Sequence, residues 1–214
     1  MNRQISWIGI IVVAVWVAGC ASTPYERKEA TSSSLVDLRD SMVTTRGQIE
    51  QTLASLNGLT SAPPDQLRAT YKQYAKDTDK IAKQAVTVDK ESRQMRSRSK
   101  EWLAGWQKSQ AEVQDPELKA LSESRRAQAL VRIQNIDRSL AEAREAFAPF
   151  VKNLQDVKQV VGNDLTPNGV AAVSETAVVQ NANQAGTTAA RALDVTIAEL
   201  EALTQTLTPA ASDR

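Results

Sequence analysis

The residue with the most specific predicted chemistry is Cys20, the only cysteine among the 214 residues of the chain. Val17, Ala18 and Gly19 come directly before it. A valine, two small residues and a cysteine are typical of a bacterial lipobox. An enzyme that adds diacylglycerol to the thiol reads this motif, and a peptidase then cuts before the cysteine. We therefore predict that Cys20 is lipidated and that Val17, Ala18 and Gly19 form the signal cleavage motif.

The residues before Cys20 support this prediction. Arg3 gives a short basic start, and an apolar run from Ile5 to Val17 follows it. That run is shorter than the roughly 20 residues that a transmembrane helix needs, and it has the length of a signal-peptide core. The sequence predicts a lipoprotein signal peptide at residues 1–19, then the lipidated cysteine and a short tether at residues 20–23. The alternatives are an ordinary secretory signal and an uncleaved anchor in which the cysteine is coincidental.

The predicted lipid decides where the chain resides. One acyl chain holds a protein on a bilayer only marginally, whereas the several chains of a lipidated cysteine, palmitate among them, give a stable anchor. Ala21 follows Cys20. An alanine there is typical of lipoproteins sorted to the outer membrane, while an aspartate resembles a signal for inner-membrane retention. We expect a bacterial cell envelope protein with an outer-membrane lipid anchor facing the periplasm, the inner membrane being the alternative.

Composition restricts other side-chain chemistry. The chain contains no histidine, the commonest metal ligand and neutral-pH general base. Because the single cysteine is predicted to be lipidated, metal sites of the Cys/His type and Ser-His-Asp or Cys-His nucleophiles are excluded. Arg3 is the only charge before Cys20, so the rest of the chain balances 25 basic against 25 acidic side chains and has no general attraction to nucleic acid. No carboxylate pair stands out, so we predict no metal, no cofactor and no enzymatic activity.

A basic run is the first candidate binding feature. It consists of Arg93, Arg96, Arg98 and Lys100. Such a run could contact phospholipid head groups, an anionic glycan or nucleic acid, and the predicted compartment disfavours nucleic acid. The alternative is the solvated face of an amphipathic helix.

Aromatic and amide side chains are the other candidates. Tyr71, Trp102 and Trp106 could form a contact for a membrane interface or a stacking ligand, or they could pack in the core, whose spacing they continue. The amide cluster from Gln180 to Gln184 could be a buried polar layer, a partner-binding surface or a solvated turn.

Heptad patterns predict long helices after the tether. Thr23, Pro24 and Glu26 have the pattern of a capping box, so the first helix is expected to begin within a few residues of Cys20. The predicted helices span about residues 24–57, 65–113, 116–161 and 167–207, and residues 208–214 are predicted to be a disordered tail. Leu118 and Leu121 fall outside the heptad register and, with Leu130, are expected to face the core on a slightly rotated side. The core positions predicted from alternating steps of three and four residues are Leu35, Leu38, Met42, Thr45, Ile49, Leu53 and Leu56, then Leu67, Tyr71, Tyr74, Thr78, Ile81, Ala85, Val88, Ser92, Met95, Ser99, Trp102 and Trp106, then Ala129, Ile133, Ile136, Leu140, Ala143, Phe147, Phe150, Leu154, Val157 and Val161.

Short connections make successive helices antiparallel neighbours. We therefore predict an all-α fold: an elongated, antiparallel up-down-up-down helical bundle with coiled-coil-like heptad seams. The unbroken heptads also predict a left-handed supercoil.

The arrangement resembles a known family. A lipobox and short tether lead into a first helix, a long charged second helix, a third helix and a loop. The segments that carry the resemblance are Lys100-Glu101-Trp102, Ser124-Arg125-Arg126, Phe147-Ala148-Pro149-Phe150-Val151 and Gly162-Asn163-Asp164-Leu165. They are similar to the bacterial family known as domain of unknown function 2959. The resemblance implies a helical, coiled-coil-like protein with no known activity, and it assigns no site residue.

Together these observations predict a non-enzymatic, membrane-anchored periplasmic lipoprotein that acts as an envelope scaffold or protein-interaction module. The alternative is a chaperone-like module or one that binds lipid or peptidoglycan. The expected partners are the membrane, through the lipid, and another envelope protein, while nucleic acid is not expected. Whether the chain forms homo-oligomers stays open.

Overall fold

Five α-helices make up most of residues 23–207, the part of the chain that the computed structural model describes. The predicted signal peptide, Cys20 and the predicted tail at residues 208–214 lie outside the described residues. No strand occurs within residues 23–207. The helices are α1 (Pro24–Thr60), α2 (Leu67–Gln110), α3 (Pro116–Asn163), α4 (Pro167–Ser174) and α5 (Ala177–Leu207).

The four long helices form the predicted up-down-up-down bundle. α1 packs against α2 and α5, and α3 packs against the same two helices, so α1 and α3 lie diagonally opposite each other. Residues 61–66 and 111–115 make the first two connections, which are too short for anything but antiparallel neighbours. The all-α bundle is therefore confirmed. No helix within residues 23–207 has both the length and the hydrophobicity that crossing a bilayer requires.

Side-chain caps start the helices where the sequence indicates. At α1 the Glu26 amide donates to Thr23 Oγ1 at 3.2 Å, and the Thr23 amide donates to Glu26 Oε2 at 2.6 Å. This is the predicted capping box. At α3 the Asp115 carboxylate accepts the amides of Glu117 and Leu118, both at 2.9 Å. Each cap satisfies amides that have no partner in the first turn, which typically stabilises a helix by about 1 kcal/mol.

Most of the predicted core positions are buried. Leu35, Ile49 and Leu56 of α1 are fully buried, as are Ile81 and Met95 of α2. The same holds on α3 for Ile136, Phe150 and Leu154. Each large side chain removed from water contributes about 1.5–3 kcal/mol, so these continuous rows supply the main driving force for the bundle.

The start of α3 departs from the prediction. Leu118, Leu121 and Leu130 are 58%, 59% and 37% exposed. The expectation that they face the core is wrong: the last described residue of α5, Leu207, lies beside Arg125 to Arg132, so within residues 23–207 the first turns of α3 extend beyond α5.

The predicted fourth helix is divided into α4 and α5. The break falls at Glu175 and Thr176. The Thr176 hydroxyl donates to the Val173 carbonyl at 2.6 Å, a local bond that competes with continuation of the helix. α4 then packs across the end of the bundle and buries Val170 and Val173.

The two ends of the bundle differ. We call the near end the one at which α1 and α3 begin and α2 and α5 end. The far end carries the α1–α2 connection, the α3–α4 connection and α4 itself. α4 and the connections cover the far end, where the buried residues are Leu56, Leu59, Leu67, Val161, Val170 and Val173.

Candidate functional site

A cavity of about 570 Å³ opens at the near end. Its walls are the first residues of α1, the last turns of α2, the early turns of α3 and the terminal Leu207 of α5. Within residues 23–207, α2 and α3 extend past Leu207, the last described residue of α5, and the cavity lies at that step. We call it the near-end cavity.

Aromatic rings form one wall of the near-end cavity. Trp102 is buried and Trp106 is half-buried, with ring centroids 5.4 Å apart. The Trp106 indole N–H donates to Ser122 Oγ at 2.8 Å, which holds the ring against α3. Directly before Trp106 in the sequence, a Cβ added at Gly105 would lie 2.5 Å from Nε of Arg27. Glycine therefore lets the Arg27 side chain lie directly across α2.

The charge of the near-end cavity is positive. Lys28, Arg125 and Arg132 line it, and no carboxylate does so among residues 23–207. None of the three forms an ion pair or side-chain hydrogen bond within residues 23–207. Uncompensated cations around a recess raise the local concentration of anions.

A second concavity, which we call the side groove, lies between α2 and α3. Its volume is about 410 Å³. The facing side chains Ala85, Ser92 and Ala143 are too small to fill the space between the helices, so the groove reaches down to buried Met42 of α1 and Leu193 of α5.

A charged pair spans the mouth of the side groove. The Arg144 guanidinium pairs with the Asp89 carboxylate, and Asp89 also pairs with Arg93 at 2.8 Å. The rim therefore has little net charge, whereas the floor is apolar.

A buried polar cluster joins α1 and α2. The Asp77 carboxylate is 2% exposed and accepts the side-chain amides of Gln73 at 2.9 Å, Gln51 at 3.2 Å and Gln48 at 3.4 Å. Since all three donors point at one carboxylate, the cluster sets the alignment of the two helices and leaves Asp77 no open side for a substrate.

Tyrosine hydroxyls join α2 to α3 next to this cluster. The Tyr74 hydroxyl donates to the Leu154 carbonyl at 2.6 Å, and burial raises the pKa of this phenol well above its usual range. The neutral hydroxyl is thereby kept as a donor, which suits a structural bond between helices.

The predicted basic run does not converge on one place. Arg93 pairs with Asp89 at 2.8 Å, and Arg96 pairs with Asp137 at 2.7 Å. Arg98 and Lys100 form no ion pair within residues 23–207. An anionic contact through these two stays a prediction, while two of the four charges are already compensated.

The predicted aromatic contact residues do not share a site. Tyr71 lies towards the far end, where its hydroxyl donates to the Lys158 carbonyl at 3.1 Å. Trp102 and Trp106 lie 31 or more residues further along α2 at the near end, roughly 46 Å away at 1.5 Å per residue.

The amide cluster is at the surface. Gln180, Asn181 and Gln184 are exposed, and the half-buried Asn183 exchanges amide hydrogen bonds of 3.3 and 3.4 Å with Asn57 of α1. The buried-layer alternative is wrong for this cluster, because the buried polar layer is formed by Asp77 and its glutamines.

The cations of the near-end cavity were not singled out by the sequence. Arg125 and Arg132 are seven residues apart and so share a face of α3, a signal that spacing alone could have shown. Lys28 joins them only through tertiary packing. Among residues 23–207, no group of three or more Asp, Glu, His or Cys side chains could hold a metal ion. The geometry suits binding of an anion beside an aromatic surface.

Comparison with known proteins identifies a family but no activity. A family model described as "protein of unknown function (DUF2959)" matches residues 21–207. Neither curated proteins nor solved structures gave a significant match.

Proposed function

The chain belongs to the DUF2959 family, and we propose that it is a non-enzymatic lipoprotein of the bacterial cell envelope that acts as a scaffold or protein-interaction module. In this proposal Cys20 carries the lipid, the outer membrane holds it, and the bundle projects into the periplasm. The inner membrane is the alternative location.

The observation that carries this proposal is the position of the first helix. Its cap, Thr23, is three residues after Cys20, and three residues span at most about 11 Å. A lipid on Cys20 therefore keeps the near end beside the membrane. α2 is 44 residues long, so the far end reaches roughly 66 Å from the near end.

The chemistry of the described residues supports a binding role over catalysis. The chain has no histidine. Among residues 23–207 the most buried carboxylate, Asp77, is enclosed by amide donors, and the near-end cavity is lined by cations and indoles rather than by carboxylates.

Metabolic labelling with a palmitate analogue tests the anchor. We expect labelled wild-type protein in the membrane fraction and no label on Cys20→Ser, because the only thiol has been removed. Ala21→Ser, next to the modified residue, is the matched control and should keep its label. Label that persists on Cys20→Ser, or no label on the wild type, contradicts the proposal.

Site-specific crosslinking in intact cells tests the interaction role. A photoreactive side chain at Val86, which is 69% exposed on the rim of the side groove, should give discrete crosslinked products. The same probe at Val195, which is 55% exposed on α5, is the control. Identical products from the two positions, or none from either, would count against a scaffold that works through α2 and α3.

The side groove favours a second candidate function, a chaperone-like module that binds apolar side chains of an unfolded chain. Its floor is apolar and open to solvent, an arrangement that suits such ligands. A dye that fluoresces on apolar surfaces should bind the native protein, and Ala85→Leu should reduce the signal by filling the groove. Ala104→Leu adds the same side chain at an exposed position of α2 and should not reduce it. Equal dye signals for the two variants would exclude this candidate.

A further inference from the structure

We propose that the near-end cavity binds the head group of an anionic phospholipid in the bilayer that holds Cys20. The inference rests on the proposed lipid anchor and adds a second, non-covalent membrane contact to it. Three features of the near end support it: its charge, its apolar rim and its distance from the predicted lipid.

The charge of the cavity matches a phosphate-bearing head group. Lys28 comes from α1, and Arg125 and Arg132 come from α3, so the cations approach the recess from two helices. Within residues 23–207, none of the three cations forms an ion pair, and no carboxylate lines the cavity to repel an anion. A guanidinium group donates two parallel hydrogen bonds to phosphate oxygens.

The rim of the near end is apolar in the way that a membrane-contacting surface requires. Tyr25, which lines the cavity, is 62% exposed. Leu118 and Leu121, in the first turns of α3, are 58% and 59% exposed. Exposed leucines are costly in water, but at a bilayer surface they enter the boundary between head groups and acyl chains. Trp106 beside them belongs to the residue type enriched at that boundary.

The covalent geometry brings this surface to the membrane. Pro24 and Tyr25 line the cavity, and Cys20 precedes Thr23 by only three residues, at most about 11 Å of chain. A lipid attached to Cys20 therefore holds the cavity at head-group depth. The anchor raises the effective concentration of lipid at the cavity, which favours binding of a head group there.

The chain contains its own reporter for this contact. Its four tryptophans are Trp7 and Trp16, in the predicted signal peptide, and Trp102 and Trp106, at the near end. After removal of residues 1–19, all tryptophan fluorescence arises from the cavity wall. Intact mass spectrometry of the same sample shows whether residues 1–19 are absent and whether Cys20 carries lipid. A missing lipid anchor can therefore be distinguished from a missing contact with the head group.

The test uses the full chain purified from its membrane and reconstituted into vesicles of phosphatidylcholine mixed with phosphatidylglycerol. In one set only the phosphatidylglycerol carries bromine, a fluorescence quencher, and in the other only the phosphatidylcholine does. At equal amounts of brominated lipid, we expect stronger quenching by the phosphatidylglycerol. The preference is the ratio of quenching by brominated phosphatidylglycerol to quenching by brominated phosphatidylcholine. Each cation near an anionic membrane contributes about 1 kcal/mol, which corresponds to about a fivefold change in binding, so this ratio should fall at least about fivefold in Lys28→Gln/Arg125→Gln/Arg132→Gln.

Two further variants show whether a lost lipid preference comes from this site, from the change in net charge or from misfolding. Arg68→Gln/Lys72→Gln/Lys80→Gln removes the same charge from exposed residues of α2 towards the far end and should keep the wild-type preference. Arg125→Lys/Arg132→Lys keeps the positive charge and should retain most of the wild-type preference for phosphatidylglycerol. Equal quenching by both lipids in the wild type would overturn the proposal. So would a loss of preference in the control triple variant as large as that in Lys28→Gln/Arg125→Gln/Arg132→Gln. Loss of the preference on adding dilute inorganic phosphate would overturn the assignment to a lipid, since the site would then be one for free phosphate.

Discussion

Within residues 23–207, the far end of the bundle is closed and the near end is open, although both ends are built from the same helices. At the far end, Leu59 in the last turn of α1, Leu67 at the start of α2 and Val170 of α4 are all buried. At the near end α5 stops early, and α3 leaves Leu118 and Leu121 in solvent. An end of the bundle is therefore closed when all its helices extend to that end and a further element such as α4 covers them. The apolar content of the sequence does not decide this.

The two ends also differ in their polar contacts. Towards the far end, hydroxyls of Tyr71 and Tyr74 donate to carbonyls of α3, and the Asp77 carboxylate is fully enclosed by amides. At the near end the cations Lys28 and Arg125 have no partner within residues 23–207. Satisfied polar groups stabilise the fold, whereas charged groups left without partners are available to a ligand.

The sharpest test of this comparison is one leucine truncation at each end. Leu59→Ala removes a fully buried side chain and should lower the free energy of unfolding by about 2–5 kcal/mol. Leu118→Ala makes the same chemical change at an exposed site and should change it by less than about 0.5 kcal/mol. Urea denaturation followed by circular dichroism measures both. Similar losses for the two variants would mean that the near end is not open in solution.

A smaller effect is expected from adding one methyl group at each end. A Cβ at Gly162 would collide with the Tyr71 hydroxyl and lie 3.2 Å from its Cζ. Because that rigid ring is held by its bond to Lys158, Gly162→Ala should cost about 1–3 kcal/mol.

The near-end counterpart, Gly105→Ala, meets the flexible end of Arg27. Displacing the end of a flexible side chain costs less than displacing a ring, and alanine gains about 1 kcal/mol of helix propensity, so the free energy of unfolding should fall by less than in Gly162→Ala. Thermal denaturation of the pair measures the difference. A larger loss at Gly105 than at Gly162 would reverse the proposed order of rigidity.

The smallest effect concerns one hydroxyl and its pH dependence. Tyr74→Phe deletes the bond to Leu154 and should cost about 1 kcal/mol at neutral pH. Burial raises the pKa of Tyr74 in the folded chain, so the unfolded chain loses this proton first as the pH rises. The stability from the protonated hydroxyl is therefore complete below about pH 10 and is lost above it.

The difference between wild type and Tyr74→Phe should accordingly shrink above about pH 10, at up to about 1.4 kcal/mol per pH unit. Other titrating groups are common to both proteins and cancel in the comparison. Denaturation series across this range provide the measurement. A difference that stays constant would show that the Tyr74 phenol is not buried in solution.

The helices could be predicted because their signals are local. The Thr23–Glu26 capping box and the Asp115-Pro116 start depend on neighbours within one turn, and the heptad positions from Leu35 onward repeat within single helices. The break at Thr176 was missed because no proline or glycine stands there, and only the bond to Val173 reveals it.

By itself, the sequence determined the helical class, the core rows, the bundle topology and the absence of histidine chemistry, since each follows from residue type and short-range spacing. Tertiary structure alone decided which helix ends are level with one another. That alignment exposes Leu118 and brings Lys28 to the arginines of α3. The physical reason is that a heptad repeat specifies which face of a helix is buried but leaves its axial position to contacts between helices, such as those of Asp77 and Tyr74.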